Sequence, residues 1–182
     1  MSKKTELRVY NNAGLAVNGR TLDGYAATYE AYSKDLGGFR EIIKRGAFAA
    51  AINPQMDVIA NINHDENLIL SRTGASLELQ SDNVGLKFNL EVPATTYGND
   101  LIVNLRAGNV KGCSFAFVVK RDKWTTDAAG YPLREIYEIG TLEDIALVTK
   151  PAYNDTSVAL RALKSQSIDD ATLMRLEQAK GL

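Results

Sequence analysis

The sequence predicts a mainly β (α+β) fold, a β-barrel or sandwich with a few short helices, and three observations predict it. Apolar and polar residues alternate in 77–80 and again in 86–92, on either side of the turn-forming run Ser81-Asp82-Asn83-Val84-Gly85. Further β-rich runs recur at 7–10, 22–29, 114–119 and 136–148. Helix-like stretches are few and brief. That mixture is the pattern of a β-barrel or sandwich with helical decoration.

Each element has a local reason. The run 7–10 (Leu-Arg-Val-Tyr) reads as a short strand after a polar start, and 22–29 as a second, interrupted by Gly24. A polar loop then ends in the flexible pair Gly37-Gly38. Residues 39–44 are apolar-rich. The alanine-rich stretch 47–52 has high helix propensity and predicts a short helix, stopped near Pro54. The alternating pair at 77–92 is a β-hairpin with one buried face. Pro93 ends its second strand, because proline cannot donate a ladder hydrogen bond. Residues 100–107 predict a helix with Leu101, Ile102 and Leu105 on its apolar side and Gly108 as its C-cap. The run 114–119 returns to β character, and 120–130 is a charged and polar excursion. Residues 136–148 predict one or two strands, closed by Pro151. In the tail, Ser167 and Asp170 have capping-box spacing ahead of a small helix.

Composition narrows the function classes. The chain has 182 residues, 45% of them hydrophobic, enough for one well-buried domain and too few for two. Lys and Arg number 21 against 22 Asp and Glu, a formal charge of −1, so no basic excess points to a nucleic-acid partner. No apolar run approaches the ~18–20 residues that span a bilayer, and the first residues lack the apolar stretch of a secretory signal. One cysteine, Cys113, allows no disulfide within the chain. A soluble, intracellular domain without membrane attachment is the expectation. The only histidine is His64, so an imidazole base must be that residue, and a two-histidine metal site within one chain is excluded. Neither a metal nor a cofactor is expected.

Three residue types could carry chemistry. Ser114 stands in Gly112-Cys113-Ser114-Phe115-Ala116, one glycine short of the G-x-S-x-G nucleophile elbow. Two arguments set an α/β-hydrolase aside. Ser114 opens a strand instead of leading into a helix, and the histidine precedes the serine where that class has it last. A Ser–His pairing in another order remains open, because the triad is defined by geometry and has arisen on unrelated folds. Cys113 could be a thiolate nucleophile, but a single intracellular cysteine is more often a small buried hydrophobe. Alternation also puts Cys113 and Ser114 on opposite faces, so only one of them can face His64. Glu143 and Asp144 sit in an otherwise apolar run where a carboxylate needs a partner. Both faces of that run are apolar, so periodicity does not choose between them.

Several separate pieces resemble, in order, the HK97-type prohead (capsid maturation) proteases of tailed bacteriophages, distant relatives of the herpesvirus assemblins. They are Gly46-Ala47-Phe48; Asn63-His64-Asp65 followed by Leu70-Ser71-Arg72-Thr73; the hairpin with Gly85-Leu86; Arg106-Ala107-Gly108; Gly112-Cys113-Ser114-Phe115-Ala116-Phe117; and Asp144-Ile145-Ala146-Leu147-Val148-Thr149-Lys150-Pro151-Ala152-Tyr153. The resemblance spans about residues 7–163. It implies a β-barrel flanked by a few short helices, as in the herpesvirus protease. It makes 1–163 the protease domain and 164–182 a tail for autoprocessing or scaffold contact.

The same resemblance implies a serine endopeptidase that works through an acyl-enzyme. Ser114 takes the nucleophile's place, His64 the general base's and Asp144 the acid's. The family more often has Glu there, and assemblins a second histidine, so Glu143 stands as the alternative acid. Residues 150–153 would serve the oxyanion. Implied substrates are the phage scaffold, the scaffolding segment of the major capsid protein and the enzyme itself, inside the procapsid in the host cytoplasm. A homo-oligomer is compatible with it. The rival readings are a non-enzymatic capsid-assembly or scaffold protein on the same fold, a small-ligand β-barrel and a cysteine peptidase.

Overall fold

The computed structural model describes residues 4–11 and 14–149. Among them are ten strands and one helix. The tail helix, the 163/164 boundary and the oxyanion segment 150–153 lie outside the described residues.

Two sheets face each other across the core. One has the order β1-β9-β10-β5-β6, with β4 also paired to β10. Its strands are β1 (Glu6–Asn11), β4 (Arg40–Ile43), β5 (Ile59–Ile62), β6 (Asp65–Arg72), β9 (Gly112–Thr126) and β10 (Pro132–Val148). The other has the order β2-β3-β8-β7, from β2 (Ala16–Asn18), β3 (Thr21–Thr28), β7 (Glu78–Ser81) and β8 (Gly85–Glu91). Phe88, Leu86 and Leu90 from the second sheet meet Phe115, Phe117, Ile145 and Leu147 from the first in one core cluster. Phe115 is the aromatic centre, with ring centroids 4.7 Å from Phe117, 5.7 Å from Phe48 and 6.1 Å from Tyr10.

The architecture is mainly β, as the sequence predicts, but among the described residues the expected barrel is not closed. The chain passes from β6 to β7 with only an isolated bridge, Thr73 to Leu77, joining the sheets at that corner. Alternation specifies one buried face per strand; it does not specify closure.

The predicted hairpin is β7–β8, which pairs Leu79 with Phe88 and Gln80 with Lys87. At its start Gly85 lies against β3, where an added Cβ would stand 2.0 Å from the Ala27 carbonyl oxygen. The helix α1 (Thr96–Arg106) begins four residues earlier than the sequence predicts. Thr95 caps it, its hydroxyl accepting the Gly98 N–H at 3.1 Å, a signal hidden behind Pro93. Gly108 ends it with φ +73°, a conformation that suits glycine.

Two further expectations are corrected, and a third, one or two strands over 136–148, is met by one. The stretch 47–52 is a series of turns and no helix. Its bonds mostly span three residues, Ala49 N–H to Gly46 O and Ala51 N–H to Phe48 O. The Ala47 carbonyl accepts the Ile139 N–H of β10 at 2.8 Å, so tertiary pairing takes the acceptor that a helix needs. The polar excursion 120–130 is strand as far as Thr126, because β9 continues beside β10 after leaving the core. Residues 136–148 lie within a single strand, β10, whose two halves pair in parallel with β4 and then β5. None of the described helices is long and apolar enough to cross a membrane.

Candidate active site

The β5–β6 turn builds the first part of the site. Ile62 pairs with Asp65, leaving a two-residue loop, Asn63 and His64, with φ +55° and +60°. Two successive positive φ values are what tight primed hairpin turns require, and Asn and His tolerate them better than most residues. The turn is held from three directions. Asn63 N–H donates to the Leu147 carbonyl at 3.0 Å, and the Asn63 side chain accepts the Thr149 N–H at 3.1 Å. Asn61 Oδ1 accepts the His64 N–H at 3.0 Å.

The central strands supply the other groups. Ser114 on β9 pairs with Ala146 on β10, and Ala146 pairs with Asn61 on β5. Asp144, two residues before Ala146, shares its face by strand alternation. Ala146 carries only a methyl group at the position between Ser114 and Asn61, where a larger side chain would compete with an imidazole. The His64 ring bridges the gap. Its Nε2 lies 2.7 Å from Ser114 Oγ, and its Nδ1 lies 2.9 and 3.0 Å from the two Asp144 carboxylate oxygens.

These contacts fix the donor order. An ionised carboxylate only accepts, so Nδ1 carries the ring proton and Nε2 is left to accept from the serine hydroxyl. Asn61 Nδ2 donates to Asp144 Oδ2 at 3.2 Å, giving the carboxylate a second partner. Ser114 is fully buried, while the His64 and Asp144 side chains retain 20% and 18% exposure.

A β-bulge separates the two candidate acids. Leu142 pairs with Phe117 and Asp144 with Ala116, leaving Glu143 as the extra residue. Glu143 is exposed and accepts a hydrogen bond from the Thr5 hydroxyl at 3.0 Å, whereas Asp144 turns to His64. Cys113 faces the core cluster, away from the imidazole. Its burial, with the nearby Asp144 carboxylate second, pushes its thiol well above the usual range. Among the described residues no group of three or more His, Cys, Asp or Glu side chains is placed to hold a metal ion.

Asn61 has no role in the sequence analysis above, and Asn63 enters there only as part of Asn63-His64-Asp65. An Asn three residues before a histidine in a two-residue turn is a readable signal, since its side chain can accept the backbone N–H ahead of it.

A hydroxyl, an imidazole and a carboxylate in this order are what serine hydrolases on unrelated folds have in common. The sequence profile described as caudovirus prohead serine protease matches residues 5–171. The chain belongs to that family, which makes it a serine protease of the kind that matures phage capsids. Its fold is similar to that of the bacteriophage T4 capsid assembly protease, gp21, with a TM-score of 0.54 and 14% sequence identity. That likeness covers 81% of this chain and 99% of the other. No curated protein matches. Prohead-protease membership thus stands at the level of the family; the HK97-type and assemblin affinity is an expectation from the motifs.

Proposed function

We propose that this chain is a serine endopeptidase that uses Ser114, His64 and Asp144 as its triad. Its substrates would be phage scaffold, the scaffolding segment of the major capsid protein and the enzyme itself. The observation that carries this reading is the unbroken bond order from Ser114 Oγ through the His64 ring to Asp144. Ser114 Oγ attacks the scissile carbonyl as Nε2 removes its proton. Asp144 holds the tautomer and stabilises the imidazolium that forms. His64 then protonates the leaving amine, and later deprotonates the water that hydrolyses the acyl-enzyme. The reaction would take place inside the procapsid, in the host cytoplasm.

The test is co-expression with scaffold and capsid protein. Ser114→Ala and His64→Ala should each abolish processing, with losses on the order of 10⁴-fold or more. A serine-directed phosphonate should label the native chain and not Ser114→Ala. Scaffold processing by Ser114→Ala at the native rate would overturn the reading and favour a non-enzymatic assembly protein.

A further inference from the structure

We propose that Asn61 is a positioning residue of this site, one amide that sets both the base and its carboxylate partner. The inference deepens the proposed function and rests on it. Asn61 is 1% exposed, too deeply placed for its two polar ends to be met by solvent. Both ends are used, and both on the same relay. Oδ1 accepts the backbone N–H of His64 at 3.0 Å, and Nδ2 donates to Asp144 Oδ2 at 3.2 Å.

The first bond closes the turn over the residue that needs it. His64 adopts φ +60°, a conformation disfavoured for a residue with a Cβ, and its ring is committed to Ser114 and Asp144, so the backbone N–H is held by Asn61. Releasing its N–H lets the turn relax and moves the whole ring, because the imidazole hangs from that backbone. The second bond fixes the carboxylate plane. Asp144 lies nearly equidistant from Nδ1 through its two oxygens, so the imidazole alone does not define its rotation. Asn61 Nδ2 binds Oδ2 only and supplies the missing constraint.

Strand register makes the dual contact natural. Asn61 lies level with Ala146, two residues from Asp144 on β10, and three residues before His64. Neither glutamine nor aspartate reproduces it. The first is longer by one methylene, and the second has no donor for Asp144.

Having a single histidine makes the test clean, since any imidazole proton resonance belongs to His64. The native chain should show a low-field Nδ1–H resonance and a nuclear Overhauser contact between the Asn61 side-chain amide and the His64 backbone N–H. Asn61→Ala removes both bonds. Asn61→Asp keeps the acceptor for His64 N–H and removes the donor to Asp144. In each folded variant the low-field resonance should move upfield or vanish. kcat per folded molecule should fall on the order of 10²-fold with KM little changed, as expected when a reacting group is displaced by about 1 Å. A merely structural asparagine would lower the melting temperature and leave the resonance and kcat per folded molecule at native values; that result overturns the proposal. So does the absence of the Overhauser contact in the native chain, which needs no variant to fold. The resonance reports on the imidazole directly, so the proposal stands or falls on it even if Ser114→Ala leaves proteolysis intact.

Discussion

Two neighbouring residues, Glu143 and Asp144, differ by one methylene and by which way a bulge turns them. Asp144 meets Nδ1 of His64; Glu143 meets Thr5 at the surface. Asp144→Asn should therefore cost on the order of 10⁴-fold in kcat, because an amide nitrogen facing Nδ1 favours the wrong tautomer. Glu143→Gln should leave kcat unchanged; a comparable loss there would transfer the acid's role. Cys113 and Ser114 form a second such pair. Burial holds the Cys113 thiol protonated, so iodoacetamide should modify it only in denaturant, as mass spectrometry of the intact chain would read. Cys113→Ala should retain proteolysis, which removes the cysteine-peptidase reading.

At the scale of elements, the site depends on close strand approach and on a cap. Gly85 allows β8 to lie against β3 where a methyl would overlap the Ala27 carbonyl. Gly85→Ala forces those backbones apart and should cost ~2 kcal/mol or more, read as a lowered urea midpoint. Thr95→Ala takes one N–H partner from the first turn of α1 and should cost about 1 kcal/mol. The helix contacts the site's hairpin through Tyr97, whose hydroxyl donates to the Ile69 carbonyl of β6 at 2.8 Å.

The molecule as a whole is tied together on the side of the ionic cluster by buried charge. Arg8 binds Glu6 and Glu41, and Arg134 binds Glu6, Glu41 and Asp122, at 2.6–3.1 Å. These groups join β1, β4, β9 and β10, and four of the five are less than 9% exposed. Burial by itself would raise the Glu6 carboxyl. The Arg134 and Arg8 guanidiniums outweigh it and hold the carboxyl below its ordinary value near 4.5. A carboxyl depressed in the folded state contributes stability that is fully present above its unfolded value. That contribution is lost as pH falls from about 4.5 through the lower folded value. Urea melts should show stability dropping across that acid window, and Glu6→Gln should flatten the drop while lowering stability at neutral pH. An unchanged acid slope in Glu6→Gln would remove this cluster from the account.

Much of this molecule was legible in its residue order. The alternation at 77–80 and 86–92 specified the β7–β8 hairpin, and the aromatic run after Ser114 specified the inner half of β9. Motif order alone pointed to the prohead protease family, with Ser114, His64 and Asp144 as its candidate triad. Local periodicity suffices for those strands because a period of two puts the apolar residues on one face whichever segment covers it. Tertiary structure decided the rest. It replaced the helix expected at 47–52 by turns, since β10 takes the Ala47 carbonyl, and it left the two sheets unclosed. It set the bulge that turns Asp144 rather than Glu143 toward the ring, and brought His64 to Ser114 across β10. Register, bulges and the meeting of distant strands depend on contacts between segments far apart in sequence, and no local pattern encodes them.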